Sequence, residues 1–234
     1  QRMPATLELA LFSLFISLII AIPLGIYAGY KPESKTSKII MGGSILGFSM
    51  PTFWVGIIFI MIFAVHLGWL PSTGRGEIGT FLGINSSLFT LNGLSHVFLP
   101  ALNLALFKIS SVIRLTRAGT REIILQDYIT FARSKGLSEK RIVMVHILKN
   151  ILIPIVTVIG LEFGSLIAFS TVTETVFAWP GMGKLIIDSI YNLDRPVIVA
   201  YLMIIVTFFV FLNLIVDVLY TFLDPRVRIK GDSQ

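Results

Sequence analysis

Cysteine is absent from the 234 residues, so neither a disulfide framework nor a thiolate metal site can be built. Charge is scarce: 14% of residues are Asp, Glu, Lys or Arg, against about a quarter in a soluble domain. The three histidines, His66, His96 and His146, share no ligand spacing, and no metal site is expected. No Ser/His/Asp or Cys/His pattern offers a nucleophile. Gly183-Lys184 hints at a phosphate loop, but Ala178 stands where its first glycine belongs and Leu185 replaces the Ser or Thr. Neither a tandem repeat nor a low-complexity tract is present.

What is abundant is apolar. Hydrophobic residues make up 55% of the chain and mean hydropathy is +0.86, which places it among integral membrane proteins. Crossing about 30 Å of hydrocarbon takes roughly 20 helical residues. Five runs qualify: 5–30, with Pro23 inside; 39–67, with Pro51 inside; 97–113; 151–178; and 197–223. They must be helical, because hydrocarbon gives backbone N–H and C=O groups no other partner. The expected fold is an all-α polytopic bundle forming one domain over 1–230, followed by a short tail at 231–234.

Basic residues orient it. Lys31, Lys35 and Lys38 follow the first run, eight more lie between Arg114 and Lys149, and Arg226, Arg228 and Lys230 close the chain. Together they are most of the 19 basic residues, and all fall on one side; Arg2, Arg75, Lys184 and Arg195 fall on the other. The positive-inside rule makes the first side cytoplasmic, along with the C-terminus. Five crossings ending inside put Gln1 outside, which predicts a further span upstream of it. Loop 68–95 is outer and rich in Gly, Ser and Asn. The second outer loop, 179–196, opens with the turn Trp179-Pro180-Gly181-Met182-Gly183, and an amphipathic helix is expected from Lys184 to Asn192.

The basic island 114–149 is patterned. Ile124, Tyr128, Phe131, Ala132 and Lys135 recur at helical spacing. Arg133 and Lys135 suit a last turn, and Gly136 suits the glycine that ends a helix. Ser138 can cap a second helix, favourably opened by Glu139, that runs on into the fourth run near Asn150 and Pro154. A plain topology-setting loop would explain the charge but neither the apolar face nor the glycine break. A DNA-reading helix-turn-helix is excluded, because membrane spans begin within about two turns of both ends. A docking element explains all three features, with Tyr128, Ala132 and Gly136 presented to a cytoplasmic partner.

Two groups stand out inside the runs. Lys108 lies under two turns from Arg114, where it can snorkel to the interface or line a pathway. Glu162 lies near the middle of the fourth run, where a charge costs about 2.5–3.5 kcal/mol. It is either a pathway group, with Ser165 beside it, or a hydrogen-bonded packing residue. Gly25/Gly29, Gly43/Gly47 and Gly160/Gly164 have the spacing of close helix contacts.

Ala132-Arg133-Ser134-Lys135-Gly136-Leu137-Ser138, followed by His146, Asn150 and Ile153-Pro154, resembles the cytoplasmic segment of bacterial ABC-transporter permeases that import dipeptides, oligopeptides or nickel. The resemblance continues through Glu174-Thr175-Val176-Phe177-Ala178-Trp179-Pro180-Gly181-Met182-Gly183, Pro196-Val197, the stretch from Asn213 to Tyr220, and Asp224-Pro225-Arg226-Val227-Arg228. At the front, Thr6-Leu7-Glu8-Leu9-Ala10, Gly25 and Gly47-Phe48-Ser49-Met50-Pro51-Thr52-Phe53-Trp54 share it. The generic permease motif opens Glu-Ala-Ala where Thr130, Phe131 and Ala132 stand, a departure usual in the peptide and nickel group.

The resemblance is to the first permease of a pair. It implies a bacterial cytoplasmic-membrane location, six spans, a second similar permease and two cytoplasmic ATPases, with ATP and magnesium on those partners and no cofactor on this chain. It implies that the ATPases dock on Tyr128, Phe131, Ala132, Arg133, Lys135, Gly136, Leu137 and Ser138. It also implies an outer solute-binding protein meeting the turn from Trp179 to Gly183. A nickel or metal-chelate substrate is the alternative within the family. An ATP-independent carrier or channel is the alternative outside it, and the internal repeats expected of carriers are missing.

Overall fold

The computed structural model describes residues 2–223; the side chains at 153, 159, 161, 162, 165, 168, 169, 216, 217 and 219–223 lie outside the described set, as do Arg226, Arg228, Lys230 and the tail 231–234. Helix α1 (Arg2–Tyr30) is followed by α2 (Lys35–Ser49) and α3 (Thr52–Phe59), which continues as π-helical turns over Ile60–His66. A small hairpin of β1 (Gly79–Phe81) and β2 (Ile84–Ser86) leads through a 3-10 turn at Ser87–Phe89 into α4 (Leu91–Ile124). Then come α5 (Asp127–Ser134) and α6 (Glu139–Arg141). π-turns over Ile142–Ile147 join α6 to α7 (Leu148–Val176), before α8 (Met182–Tyr191) and α9 (Arg195–Leu223). Among the described residues, four helices are long and apolar enough to cross a membrane, and the α2–α3 pair makes a fifth if counted as one span.

Two runs differ from their sequence reading. The 39–67 run is no straight helix: α2 and α3 meet at 105°. Pro51 has no N–H to continue the ladder, and Met50 before it is extended (φ −83°, ψ 135°), as a residue preceding proline prefers. The 97–113 run is the apolar middle of α4, which starts at Leu91 and ends at Ile124. Polar first turns and the Arg114, Arg117 and Arg121 turns hid its ends. Residues 114–124 therefore continue the helix of the third run, and the island's separate elements begin only at α5.

Helix α4 is the bundle's axis. Thr90 caps it, its hydroxyl accepting from Gly93 N–H at 3.0 Å. Helix α1 lies tightly along it: a Cβ at Gly25 would stand 2.5 Å from Thr116 Cβ, and one at Gly29 would stand 2.6 Å from Thr120 Cβ. Small residues give two membrane helices that close approach, and with it dispersion energy. Gly164 is likewise crowded, by the Phe209 ring of α9, whereas Gly43 faces open space. One apolar cluster fills the half of the bundle that carries α5, around Val112, Ile129, Ile142 and Ile151. Another fills the opposite half around Leu9, Val97, Leu104 and Trp179. Helix α9 packs against α7 and α8 and leaves a broad apolar face uncovered.

Candidate docking site and outer clamp

Helix α5 is short and two-faced. Ile129 and Ala132, three residues apart, turn inward onto Ile142, Ile147 and Ile151. Tyr128, Phe131, Arg133, Lys135, Gly136 and Ser138 are exposed, and Leu137 is half-buried. Ala132 is thus not presented to a partner, contrary to the expectation from sequence. It shares the apolar stripe with Ile129, and its small size lets α5 lie close to the core.

The glycine turn is a complete Schellman motif. Gly136 N–H donates to Arg133 C=O at 2.9 Å and Leu137 N–H to Ala132 C=O at 3.2 Å, with Gly136 at φ +75°. Ser138 stands at the next N-cap position, but its hydroxyl makes no capping bond. Its carbonyl accepts from Ile142 N–H at 3.0 Å. The helix it opens runs through the π-turns into α7. Such turns are short interruptions that often mark functional sites.

Both ends of α5 are tied down. Arg133 Nε donates to Glu139 Oε1 at 3.0 Å, and the Tyr30 hydroxyl at the end of α1 donates to Glu139 Oε2. Those two donors, Tyr30 first and then Arg133, hold the Glu139 carboxyl below its ordinary pKa. The Arg133 guanidinium is raised in turn, chiefly by its bond to Glu139. At the other end, Asn150 Nδ2 donates to the Tyr128 hydroxyl at 3.2 Å and to His146 C=O at 2.6 Å. Lys135 Nζ lies 4.5 Å from the Phe131 ring centroid, on the exposed side.

At the bend between α2 and α3, Lys108 lines a cavity of about 150 Å³ with Phe48, Met50, Thr52, Phe107 and Leu166. It is 5% exposed, so it does not snorkel to water. The side chains of Glu162 and Ser165 fall outside the described residues.

The turn after α7 is a clamp. The Glu174 carboxylate is fully buried. It accepts from the Thr6 hydroxyl at 2.6 Å, the Ser170 hydroxyl at 3.1 Å and Lys184 N–H, at the start of α8, at 3.0 Å. Thr6 accepts in turn from Met182 N–H at 2.7 Å. The Trp179 indole N–H donates to Ala5 C=O at 2.9 Å, and its side chain is 0% exposed. A Cβ at Gly181 would stand 2.3 Å from the Glu174 carboxyl, and one at Gly183 would stand 2.4 Å from Thr171 Cα. Of the five residues expected to face an outer partner, only Pro180 is even partly exposed. The turn locks α1, α7 and α8 together instead of offering a free surface.

Beside the clamp, Glu8 of α1 holds the loop between α3 and α4. It pairs with the Arg75 guanidinium, accepts from the Ser87 hydroxyl, and takes Ser87 N–H at 3.2 Å. Gly74 N–H reaches Phe177 C=O at 3.0 Å. Sequence reasoning passed over Thr6, Glu8 and Glu174 as functional positions. The available signal was an acidic group inside an otherwise apolar run, which marks a required partner.

Residues 21–229 match the family described as "Binding-protein-dependent transport system inner membrane component". The chain is 39% identical to the di/tripeptide transport system permease protein DppB of Pseudomonas aeruginosa, covering 96% of this chain and 70% of that one. It is 40% identical to the oligopeptide transport system permease protein AppB of Bacillus subtilis (97% and 70% covered). With the dipeptide transport system permease protein DppB of Haemophilus influenzae it shares 43% (96% and 71% covered). Among solved structures, a chain of the MetNI methionine ABC transporter has the same fold, with TM-score 0.71 over 94% of this chain and 93% of that one at 17% identity. The helical layout and the near full-length match agree, and the chain belongs to the inner-membrane components of binding-protein-dependent transport systems, as a multi-pass ABC-transporter permease of the dipeptide and oligopeptide group.

Proposed function

We propose that this chain and a second, similar permease form the membrane pathway of an ATP-driven importer whose substrates are di- or oligopeptides. Two cytoplasmic ATPases dock on α5, and an outer solute-binding protein delivers the peptide. The observation that carries the reading is a short helix with an exposed Tyr128–Phe131 face and both ends pinned, in a chain whose relatives of 35–43% identity are named for peptide transport. ATP and magnesium belong to the ATPases, and this chain transmits motion.

A ligand shifts an equilibrium only by its differential affinity for the two states, so the docked helix must be stiffly joined to the spans. Two joints support that. The Arg133–Glu139–Tyr30 link runs to α1, and the turn at Gly136 runs through α6 into α7. A pull on α5 is thereby passed to two different spans, tilting them between inward and outward access. Lys108, with Glu162 and Ser165, is assigned to the pathway wall. The basic side of the bundle, with the C-terminus, is cytoplasmic.

The test is reconstitution of the intact permease pair with its ATPases and binding protein in vesicles. Peptide uptake that needs both ATP and the binding protein is expected. Uptake without an ATPase, or ATP-driven uptake of a metal chelate but of no peptide, refutes the reading.

A further inference from the structure

Two irregular helical stretches meet without seating on each other, on the side of the bundle that carries α5. Pro23 inside α1 has no N–H to continue the ladder, and its ring bends a helix. The stretch that faces it, Ile142–Ile147, is wound as π-turns, so its side chains fall out of step with the ridges of an ordinary helix. A groove of about 370 Å³ is left between them. Ile22, Ile26 and Tyr27 form one wall, and Val143, Met144 and Leu148 the other. Among the described residues its lining carries no charged side chain. The groove is open, with Tyr27 38% and Met144 56% exposed. Both walls belong to segments long and apolar enough to cross a membrane. Tyr27 and Tyr30 stand at its α5 end, as aromatic side chains do at a membrane–water interface.

Cations stand just past that end, on the same faces. Lys31 follows Tyr27 by four residues, and its N–H donates to Tyr27 C=O at 3.0 Å, so it lies one turn beyond the first wall. Lys140 precedes Val143 by three residues and Met144 by four, one turn beyond the second wall. Both lysines are exposed. The acids of these segments are engaged elsewhere: Glu139 accepts from Tyr30 and Arg133, and Glu33 lies 4.0 Å from Lys38.

An uncharged slot that ends in one cation from each wall is complementary to a lipid with a negative headgroup. A protein helix is about 10–12 Å across with its side chains, and it calls for a broad face such as the one α9 leaves uncovered. We propose that the groove binds an anionic phospholipid, one acyl chain lying along it and the phosphate held between Lys31 and Lys140. The lipid would touch the same two elements that the Tyr30–Glu139 bond joins, and so brace the joint between α1 and the start of α7. A consequence for uptake rests on the importer reading above; the lipid site does not.

The experiment uses the intact transporter in nanodiscs with phosphatidylglycerol or phosphatidylcholine probes that carry a photoactivatable group in one acyl chain. Labelled positions are mapped by mass spectrometry. Phosphatidylglycerol is expected to label residues 22–27 and 143–148 in preference to phosphatidylcholine. That labelling should fall about tenfold or more in Lys31→Gln/Lys140→Gln. It should stay within about twofold of the parent in Lys35→Gln/Lys38→Gln, whose cations sit on α2, outside the groove. Equal labelling by the two lipids overturns the proposal. So does an equal loss in both double variants, which would mean a diffuse charge effect and no site. Photo-crosslinking from position 144 to the second permease in preference to lipid also overturns it, because a protein would then cover the groove. Labelling is read without transport, so a failure of peptide uptake counts against the importer reading alone.

Discussion

Gly181→Ala tests the clamp at its tightest point. Gly181 has φ −91°, where alanine is at ease, so any penalty comes from space and not from backbone. The new methyl would sit 2.3 Å from the Glu174 carboxyl, far inside contact distance. Glu174 cannot step aside freely, because Thr6, Ser170 and Lys184 N–H hold it from three directions. Overpacking of this kind costs about 1–3 kcal/mol. Glu174→Ala removes the obstacle but leaves buried donors, Lys184 N–H and the Thr6 hydroxyl, without their acceptor, at about 1–3 kcal/mol each. The double variant fills part of the space its own truncation opens. It should be more stable than the sum of the single effects by about 1–2 kcal/mol. Reversible unfolding in mixed detergent, followed by tryptophan fluorescence, gives the four corners of the cycle. Additivity within about 0.5 kcal/mol would mean that the methyl and the carboxylate never compete, and the clamp geometry would be refuted.

Gly136→Ala should destabilise the docking turn by roughly 1–2 kcal/mol through its left-handed backbone alone, since a Cβ there meets nothing within 4 Å. Gly136→Asn should do less harm, and both are read as ATPase association and uptake per ATP hydrolysed. Gly25→Ala should cost about 1–3 kcal/mol by prising α1 from Thr116, whereas Gly43→Ala, facing open space, should leave folded stability unchanged; equal melting of the two variants would contradict the packing. Glu139→Gln should weaken the link from α5 to α1 and lower uptake per ATP hydrolysed without dissociating the ATPases. The pH dependence follows from the depressed Glu139 pKa. Its contribution is present above the ordinary value of 4.5 and is lost as pH falls below that through the folded value. The link should therefore be flat from pH 8 to 5, so a loss of coupling centred near neutrality that disappears in Glu139→Gln would contradict it.

The spans and the docking element were legible because their signals are local. Apolar length gives a span, and helical spacing with a glycine at its end gives α5 and its turn. What stayed hidden depends on partners far along the chain. The 97–113 reading stopped short because charged turns are counted as non-membrane even when the helix runs straight through them. The direction of Ala132 is not legible, because spacing gives a face but not which way the face turns. The resemblance points the Trp179 turn at an outer partner, and nothing local in Trp-Pro-Gly tells that the indole is buried. Its burial comes from Ala5, 174 residues earlier. Thr6 and Glu174 are separated by 168 residues, and neither announces the other.

The tight seam between α1 and α4 bears on how the chain is made. Helix α1 is complete at Tyr30, while its partner ends only at Ile124. At synthesis rates of about 5–20 residues per second, α1 waits on the order of 5–20 s for the whole of α4. Through much of that wait Glu8 lacks Arg75 and Ser87, and Gly25 and Gly29 have no Thr116 or Thr120 to pack against. A nascent helix with an unpaired carboxylate and an unfilled glycine face is a substrate for membrane chaperones and quality-control proteases. The same residues that make the finished seam firm therefore set a timed vulnerability during biogenesis, and variants that loosen the seam should be degraded before they are ever tested for transport.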